Sequence, residues 1–339
     1  MISITRISNI TLEAGCEFTV SGDYQNSDYT VILQEYKADA EMLICETLGL
    51  TKDEYSQTIK PQLEIFTWVD HHNYQIELVP NAYYLIVVVK RPSFGDGGEL
   101  CTIRETVLTA LRLHFSRGLR YHNTYEFRIY PPPHNEKIQV ALQAPLTSQM
   151  EFSPLFIENI SLLPPHEFDA CILTFKFLLE RSQNSNCAYE KVLQLALIYH
   201  ATSFTFGKVE HSFLIMMVIF EALFKKKNEK NTSNAVNRIS KLLGIDSSEI
   251  KKIRKEFTQN PNFCRLRNDI AHGDITANQS LINSNYYGLY SYITRAIIEL
   301  ISFGGNGYID LSKDYYDEIN QFIENRYQLI LVNSKTAKQ

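Results

Sequence analysis

The stretch FCRLRNDIAHGD, residues Phe263 to Asp274, gathers arginine, amide, carboxylate and imidazole side chains into one short segment. Read as a helix ending at Gly273, it puts Asn268 and His272 four residues apart, on a shared face. Arg267 and His272 are i and i+5, about 140° apart around an ideal helix. One ideal face does not hold both, although a long arginine side chain and a helix stopping at Gly273 relax that limit. His272 falls in the last turn, where the helix dipole favours a cation. A guanidinium can grip phosphate oxygens bidentately, and an imidazole near neutral pH can move a proton. Two readings stand: a site that cleaves RNA, and a capped helix end.

RNA suits such a pair because it carries its own nucleophile. The 2′-hydroxyl lies beside the scissile phosphate, so the protein must deprotonate it, stabilise the phosphorane and protonate the leaving oxygen. The scheme needs no metal and no other cofactor. One Arg-His pair is sparse for three tasks, and a two-fold dimer would bring two of each together.

Glu221 sits inside the apolar run SFLIMMVIFEALF. A carboxylate there is costly unless it is paired or hydrogen-bonded. It faces either water along a thin polar stripe or another polar group of the bundle. The arginines of RLRNDIAH are the nearest obvious cations. Because the run is apolar on nearly every side, periodicity does not choose between these.

The chain has a net charge of −5, which argues against a globally basic nucleic-acid coat. Between Lys225 and Phe257, however, ten Lys or Arg residues face only four acids. Such a zone could guide a polyanion, or it could be the solvated face of lysine-rich helices. The RNA-binding candidates are Lys225, Lys226, Lys227, Lys251, Lys252, Arg254 and Lys255, together with Arg265 beside the motif.

These residues need elements to position them. Roughly the first 160 of the 339 residues are strand-rich in pattern, with one strong helix at ELCTIRETVLTALRLHFSRG. ISITRIS, CEFTV, YTVILQEY, TYEFRIY and KIQVALQ read as strands, and YYLIVVVK as a strand buried on both faces. QLEIFTWV and YQIELVP read as a hairpin about DHHN. After a break near Ser161–Pro165 the pattern is helical throughout. HSFLIMMVIFEALFKKK, apolar around most of its circumference, reads as the central helix, and Asp246 as the N-cap of SSEIKKIRKEF. The fold class is therefore an α+β N-terminal domain, 1–160, followed by an all-α helical bundle, 161–339.

Six scattered cysteines, with no C-x-x-C, fit neither a disulfide framework nor a zinc site, and suit a reducing compartment. No signal peptide or bilayer-spanning run is visible. A cytoplasmic protein with no membrane partner is the expectation.

Arg267-Asn268-Asp269-Ile270-Ala271-His272, preceded by FEALFKKK and NRISKLLG and followed by YYGLYSYITRAIIEL, resembles the HEPN domain family, in particular its bacterial Apea-like subgroup. The resemblance covers about Pro165 to Phe303. It implies a helical bundle that dimerises and cuts RNA without metal, leaving a 2′,3′-cyclic phosphate and a 5′-hydroxyl. It carries Arg267 and His272 over as catalytic residues, Asn268 as a polar helper and Glu221 as the acidic residue that orients them. It places the chain in a phage-defence, abortive-infection or toxin-type system. Expected partners are tRNA or other single-stranded RNA, a second copy of the chain, and a phage-derived trigger or antitoxin. The alternative is a catalytically inactive dimerisation, RNA-binding or ligand-binding module of a defence complex.

Other constellations read as structural. Arg117 to His122 repeats the R-x4-H spacing but leads from a helix end into a strand. His71 and His72 are adjacent and diverge if extended. SFGDGGE lacks the lysine of a phosphate-binding loop. His114, His200 and His211 lie in helical patterns, where packing is the default, and Cys264 reads as packing.

Overall fold

A computed structural model gives the structure of the chain. It describes residues 1–8, 10–12, 18–36, 42, 45–46, 49–58, 60, 82–90, 98–115, 120–130, 139–146, 161–163, 165–181, 188–203, 208–259, 263–273, 279–305 and 314–336. The hairpin expected about DHHN, the glycine-rich SFGDG and Arg117 lie outside the described residues.

The chain divides into two compact units, Met1–Gln149 with Phe156–Phe175, and Met150–Leu155 with Lys176–Gln339. The first is built on a six-stranded antiparallel sheet of order β3-β4-β5-β1-β6-β7. Its strands are β1 (Ile2–Ser8), β3 (Phe18–Tyr24), β4 (Ser27–Tyr36), β5 (Ala82–Lys90), β6 (Arg120–Tyr130) and β7 (Gln139–Leu146). A separate parallel pair joins β2 (Ile10–Leu12) to β8 (Ser161–Leu163). In β5, Tyr84, Leu85, Ile86 and Val87 are all buried, so the continuous apolar run is covered on both faces. His122 falls in β6, which removes the second R-x4-H from any helix.

Helix α1 (Lys52–Thr58) has no apolar periodicity to announce it. A capping box makes it: the Glu54 backbone N–H donates to Thr51 Oγ1 at 3.2 Å, and the Thr51 N–H donates to Glu54 Oε2 at 2.8 Å. Helix α2 (Gly98–Phe115) lays Ile103, Val107, Leu108 and Leu111 into the core of the unit. Its Arg104 is also buried, donating to the buried carboxylate of Glu126 on β6. Helix α3 (Pro165–Arg181) begins in this unit, where Phe168 and Phe175 meet Phe18 and Tyr29 edge-on.

The second unit is helical: the rest of α3, then α4 (Ala188–Ser203), α5 (Val209–Phe224), α6 (Ser233–Leu243), α7 (Ser247–Thr258), α8 (Phe263–Ala271), α9 (Gln279–Gly305) and α10 (Tyr315–Thr336). Helix α5 is central and packs on α4, α6, α8 and α9. Its Phe213, Met216, Met217, Ile219, Phe220, Leu223 and Phe224 are buried. Asp246 caps α7 by accepting from the N–H groups of Ser248 and Glu249, both at 2.8 Å. Among the described residues no helix is long and apolar enough to cross a membrane.

Candidate active site

Helix α8 carries the motif, and its apolar residues fix which way it faces. Phe263, Leu266 and Ile270 recur at i, i+3 and i+7 and are all buried. Phe263 is the anchor. Its ring meets Phe257 of α7 edge-on at 4.8 Å and lies 6.3 Å from Phe213 of α5 and 6.4 Å from Tyr292 of α9. With this face held in an aromatic core, the intervening polar residues must turn outward.

Arg267 turns toward the last turn of α5. Its Nη2 lies 3.6 Å from Glu221 Oε1, and its Nη1 donates to Asn268 Oδ1 at 3.1 Å. Both members of the ion pair keep contact with water, at 41% exposure for Arg267 and 26% for Glu221. Glu221 therefore has a cationic neighbour while keeping some contact with water. Its backbone carbonyl accepts from the Lys225 N–H at 2.9 Å, which ends α5 at that point.

The end of α8 is equally definite. The His272 N–H donates to the Asn268 carbonyl at 2.9 Å, so helical geometry persists to His272. Gly273 then turns left-handed, with φ +81°, and its N–H donates to the Ile270 carbonyl at 3.1 Å. His272 is exposed, and among the described residues its imidazole has no partner. Glu221, Arg267 and Asn268 are thus brought together. His272 follows four residues after Asn268, and among the described residues neither a hydrogen bond nor an ion pair joins its ring to Arg267.

Two more side chains border this group. Cys264, half-buried on α8, lies 3.6 Å from Thr232 Oγ1 at the start of α6. Burial pushes its thiol up. The Thr232 hydrogen bond, Arg267 and Lys225 pull it down, and Glu221 adds to the rise. Lys225, Glu221 and Arg267 therefore share one electrostatic neighbourhood around Cys264. The spacing of α8 could not show this, because Thr232 and Lys225 come from the α5–α6 connection.

The basic zone divides by environment. Lys227 is exposed beyond α5, and Lys251, Lys252 and Lys255 are exposed on α7. Lys225 is half-buried. Lys226 Nζ donates to Asp317 Oδ1 at 2.7 Å. Arg254 donates to Ser240 Oγ at 3.1 Å and to Asn237 Oδ1, tying α7 to α6. Arg265 lies 3.8 Å from Asp269, one turn along the same helix.

Beside the zone lies a network that sequence patterning did not reveal. Arg238 of α6 donates to both carboxylate oxygens of Glu229, at 2.8 and 2.5 Å, to the Phe224 carbonyl at 2.5 Å and to Asn320 Oδ1 at 2.7 Å. The Arg238 hydrogen bond holds the Glu229 carboxyl down at about 2. The only sequence signal was Glu229 itself, a lone acid among lysines.

Two other histidines among the described residues make structural contacts. His200 is buried on α4 and meets Thr294 Oγ1 at 2.9 Å. His114 meets Thr174 Oγ1 at 2.8 Å in the N-terminal unit, and burial lowers it to about 4. His211 is exposed. Cys45, Cys101, Cys171 and Cys264 are free thiols. Among the described residues no three His, Cys, Asp or Glu side chains are grouped to hold a metal ion. No protein-family model, no curated protein and no solved structure matches this chain.

Proposed function

We propose that the helical unit is a HEPN-type endoribonuclease of a bacterial phage-defence or toxin-type system, with its catalytic group on α8. The observation that carries this reading is the Glu221–Arg267 pair. An arginine is held by a carboxylate from a second helix, beside Asn268 and one turn before an exposed histidine, yet stays open to solvent. A purely structural ion pair has no need of that opening or of the histidine.

In this scheme Arg267 neutralises a non-bridging phosphate oxygen while the RNA 2′-oxygen attacks phosphorus. The new 2′-O–P bond forms as the P–O5′ bond breaks. The 2′-hydroxyl proton goes to a neutral imidazole, and the departing 5′-oxygen takes a proton from an imidazolium. The i, i+5 spacing sets Arg267 and His272 about 140° apart on an ideal helix, so in this scheme two copies of the chain supply the base and the acid, each through its own His272. The exposed lysines 227, 251, 252 and 255 guide the RNA backbone. The N-terminal unit is assigned to sensing or recruitment of a trigger.

The i, i+5 spacing of Arg267 and His272, too wide for one ideal helix face, also favours a second reading, a bundle that binds RNA or a partner without cutting. Incubation of end-labelled tRNA and single-stranded RNA with the purified protein in EDTA separates the two. Fragments ending in 2′,3′-cyclic phosphate, absent with His272→Ala, support the nuclease. RNA retained intact by a well-folded dimer supports the binding module.

A further inference from the structure

Helix α10 lies along the basic zone with one polar edge. Asp317, Asn320, Glu324 and Tyr327 recur at i, i+3, i+7 and i+10, so they follow one face. Each meets a cation. Asp317 pairs with Lys226 at 2.7 Å, Asn320 accepts from Arg238 at 2.7 Å, and Glu324 pairs with Lys241. The Tyr327 ring lies 4.6 Å under the Lys241 ammonium. The two carboxylates are seven residues apart, about 10 Å along the helix axis.

The opposite side of α10 fixes it in place. Tyr315, Ile319 and Ile323 are buried, and Phe322 stacks on Phe303 of α9 at 4.0 Å. Tyr316 donates to the Ala222 carbonyl, one residue beyond Glu221, at 3.0 Å. The acidic edge is different in character. Asp317 is 62% exposed and Lys226 37%, so water competes for that pair; Glu324 is 53% exposed, whereas the Lys241 side chain is only 14% exposed. Packing thus seats the helix, while its two carboxylates occupy Lys226 and Lys241 of the basic zone.

We propose that α10 is a built-in competitor of RNA. Its Asp317 and Glu324 carboxylates present oxygens to Lys226 and Lys241, as a phosphodiester backbone would, and so weaken the grip of the basic zone, while Arg238 stays committed to Glu229. This rests on the RNA reading above and adds the regulation of that surface. A partner or modification that draws the α10 carboxylates away would raise RNA affinity without touching Glu221, Arg267 or His272.

The test compares the full chain with Asp317→Asn/Glu324→Gln and with a charge-matched control, Asp169→Asn/Glu180→Gln, which neutralises two exposed carboxylates on α3. Binding of a fluorescein-labelled single-stranded RNA is titrated by anisotropy at several salt concentrations, with melting curves to verify folding. The α10 variant is expected to bind about 5- to 10-fold more tightly than the control. Its log–log salt slope should steepen by about 0.7 for each further phosphate that the freed cations engage. The single variants, which disturb the helix less, should each give part of that gain. Equal affinity and slope for the α10 variant and the control overturn the proposal while leaving the RNA reading intact. RNA bound by none of the proteins overturns both.

Discussion

The guanidinium of Arg267 and the carboxylate of Glu221 stand 3.6 Å apart across two helices, α8 and α5, that meet through a shared aromatic core. The pair is half open to water, so it contributes at most about 1 kcal/mol to stability. In the proposed nuclease its role is to aim the arginine. Arg267→Ala should therefore lower RNA cleavage by about 100-fold or more with little change in melting temperature. Glu221→Gln keeps the shape, loses the aiming charge, and should cost about 10-fold. Single-turnover rates beside thermal melts check both. A large loss of stability with either variant would make the pair structural.

Gly273 closes α8 directly after His272, in left-handed backbone with φ +81° and nothing within 4 Å of where a Cβ would stand. The cost of a side chain is conformational alone, because there is no neighbour to clash with. Gly273→Ala should destabilise the helical unit by about 1 kcal/mol, and Gly273→Asn by less, since asparagine tolerates this region. Cleavage should follow the same order, as both changes shift the turn that holds His272. Urea denaturation and cleavage assays on the two variants test the ranking.

The basic residues should separate into two classes. Lys251, Lys252 and Lys255 are exposed on α7, whereas Arg254 is tied to Asn237 and Ser240. Replacing the three lysines with alanine should weaken RNA binding and flatten its salt dependence, by about 0.7 in slope for each phosphate no longer neutralised. Stability should hardly move. Arg254→Ala should instead cost about 1–2 kcal/mol, because it leaves Asn237 and Ser240 without their donor. Filter binding across a salt series, with parallel denaturation curves, distinguishes the classes.

Glu229 links stability to pH. Its carboxyl is held at about 2 in the folded chain, mainly by hydrogen bonds from Arg238, below the ordinary value of 4.5. A depressed acid stabilises the fold above its unfolded value and loses that contribution as pH falls toward the folded value. The helical unit should therefore weaken between about pH 4.5 and 2, and Glu229→Gln should remove part of that slope. Arg238→Ala should cost about 1–3 kcal/mol at neutral pH, because Glu229 loses its cation and keeps only the Lys226 N–H and the Asn234 amide as donors. Chemical denaturation at stepped pH, followed by far-ultraviolet circular dichroism, reads both effects.

The helical elements were legible in the sequence because each carries its own local signal. Asp246 marks the start of α7, Gly273 the end of α8, and the nearly continuous apolar run of α5 its central place. β5 was legible through its unbroken Tyr-Tyr-Leu-Ile-Val-Val-Val. Helix α1 was missed because only its Thr51–Glu54 capping box distinguishes it, and that signal spans a single turn. The order of strands about β1 was not legible, since β1, β5 and β6 are separated by long stretches of chain and pair through the uniform backbone. At the site, the contents of α8 were legible and the surroundings were not. Glu221 could face water or a cation by periodicity alone. The places of Thr232, Lys225 and Arg238 depend on how the α5–α6 connection folds back.

The β3–β4 hairpin offers a test independent of any function. Gln25 and Asn26 form its two-residue turn, both with positive φ, at 52° and 65°. Tyr24 pairs with Ser27 directly across it. Such a turn twists with its strands but strains a side-chain-bearing residue at each central position, and glycine is favoured at the second. Asn26→Gly should relieve that strain and stabilise the N-terminal unit by about 0.5 kcal/mol. Asn26→Val, β-branched where the backbone must be left-handed, should destabilise it by about 1–2 kcal/mol. The opposite signs are the expected outcome, read as the shift in urea midpoint at an unchanged slope. A loss of stability with glycine would mean that the Asn26 side chain makes an interaction worth more than the strain it carries.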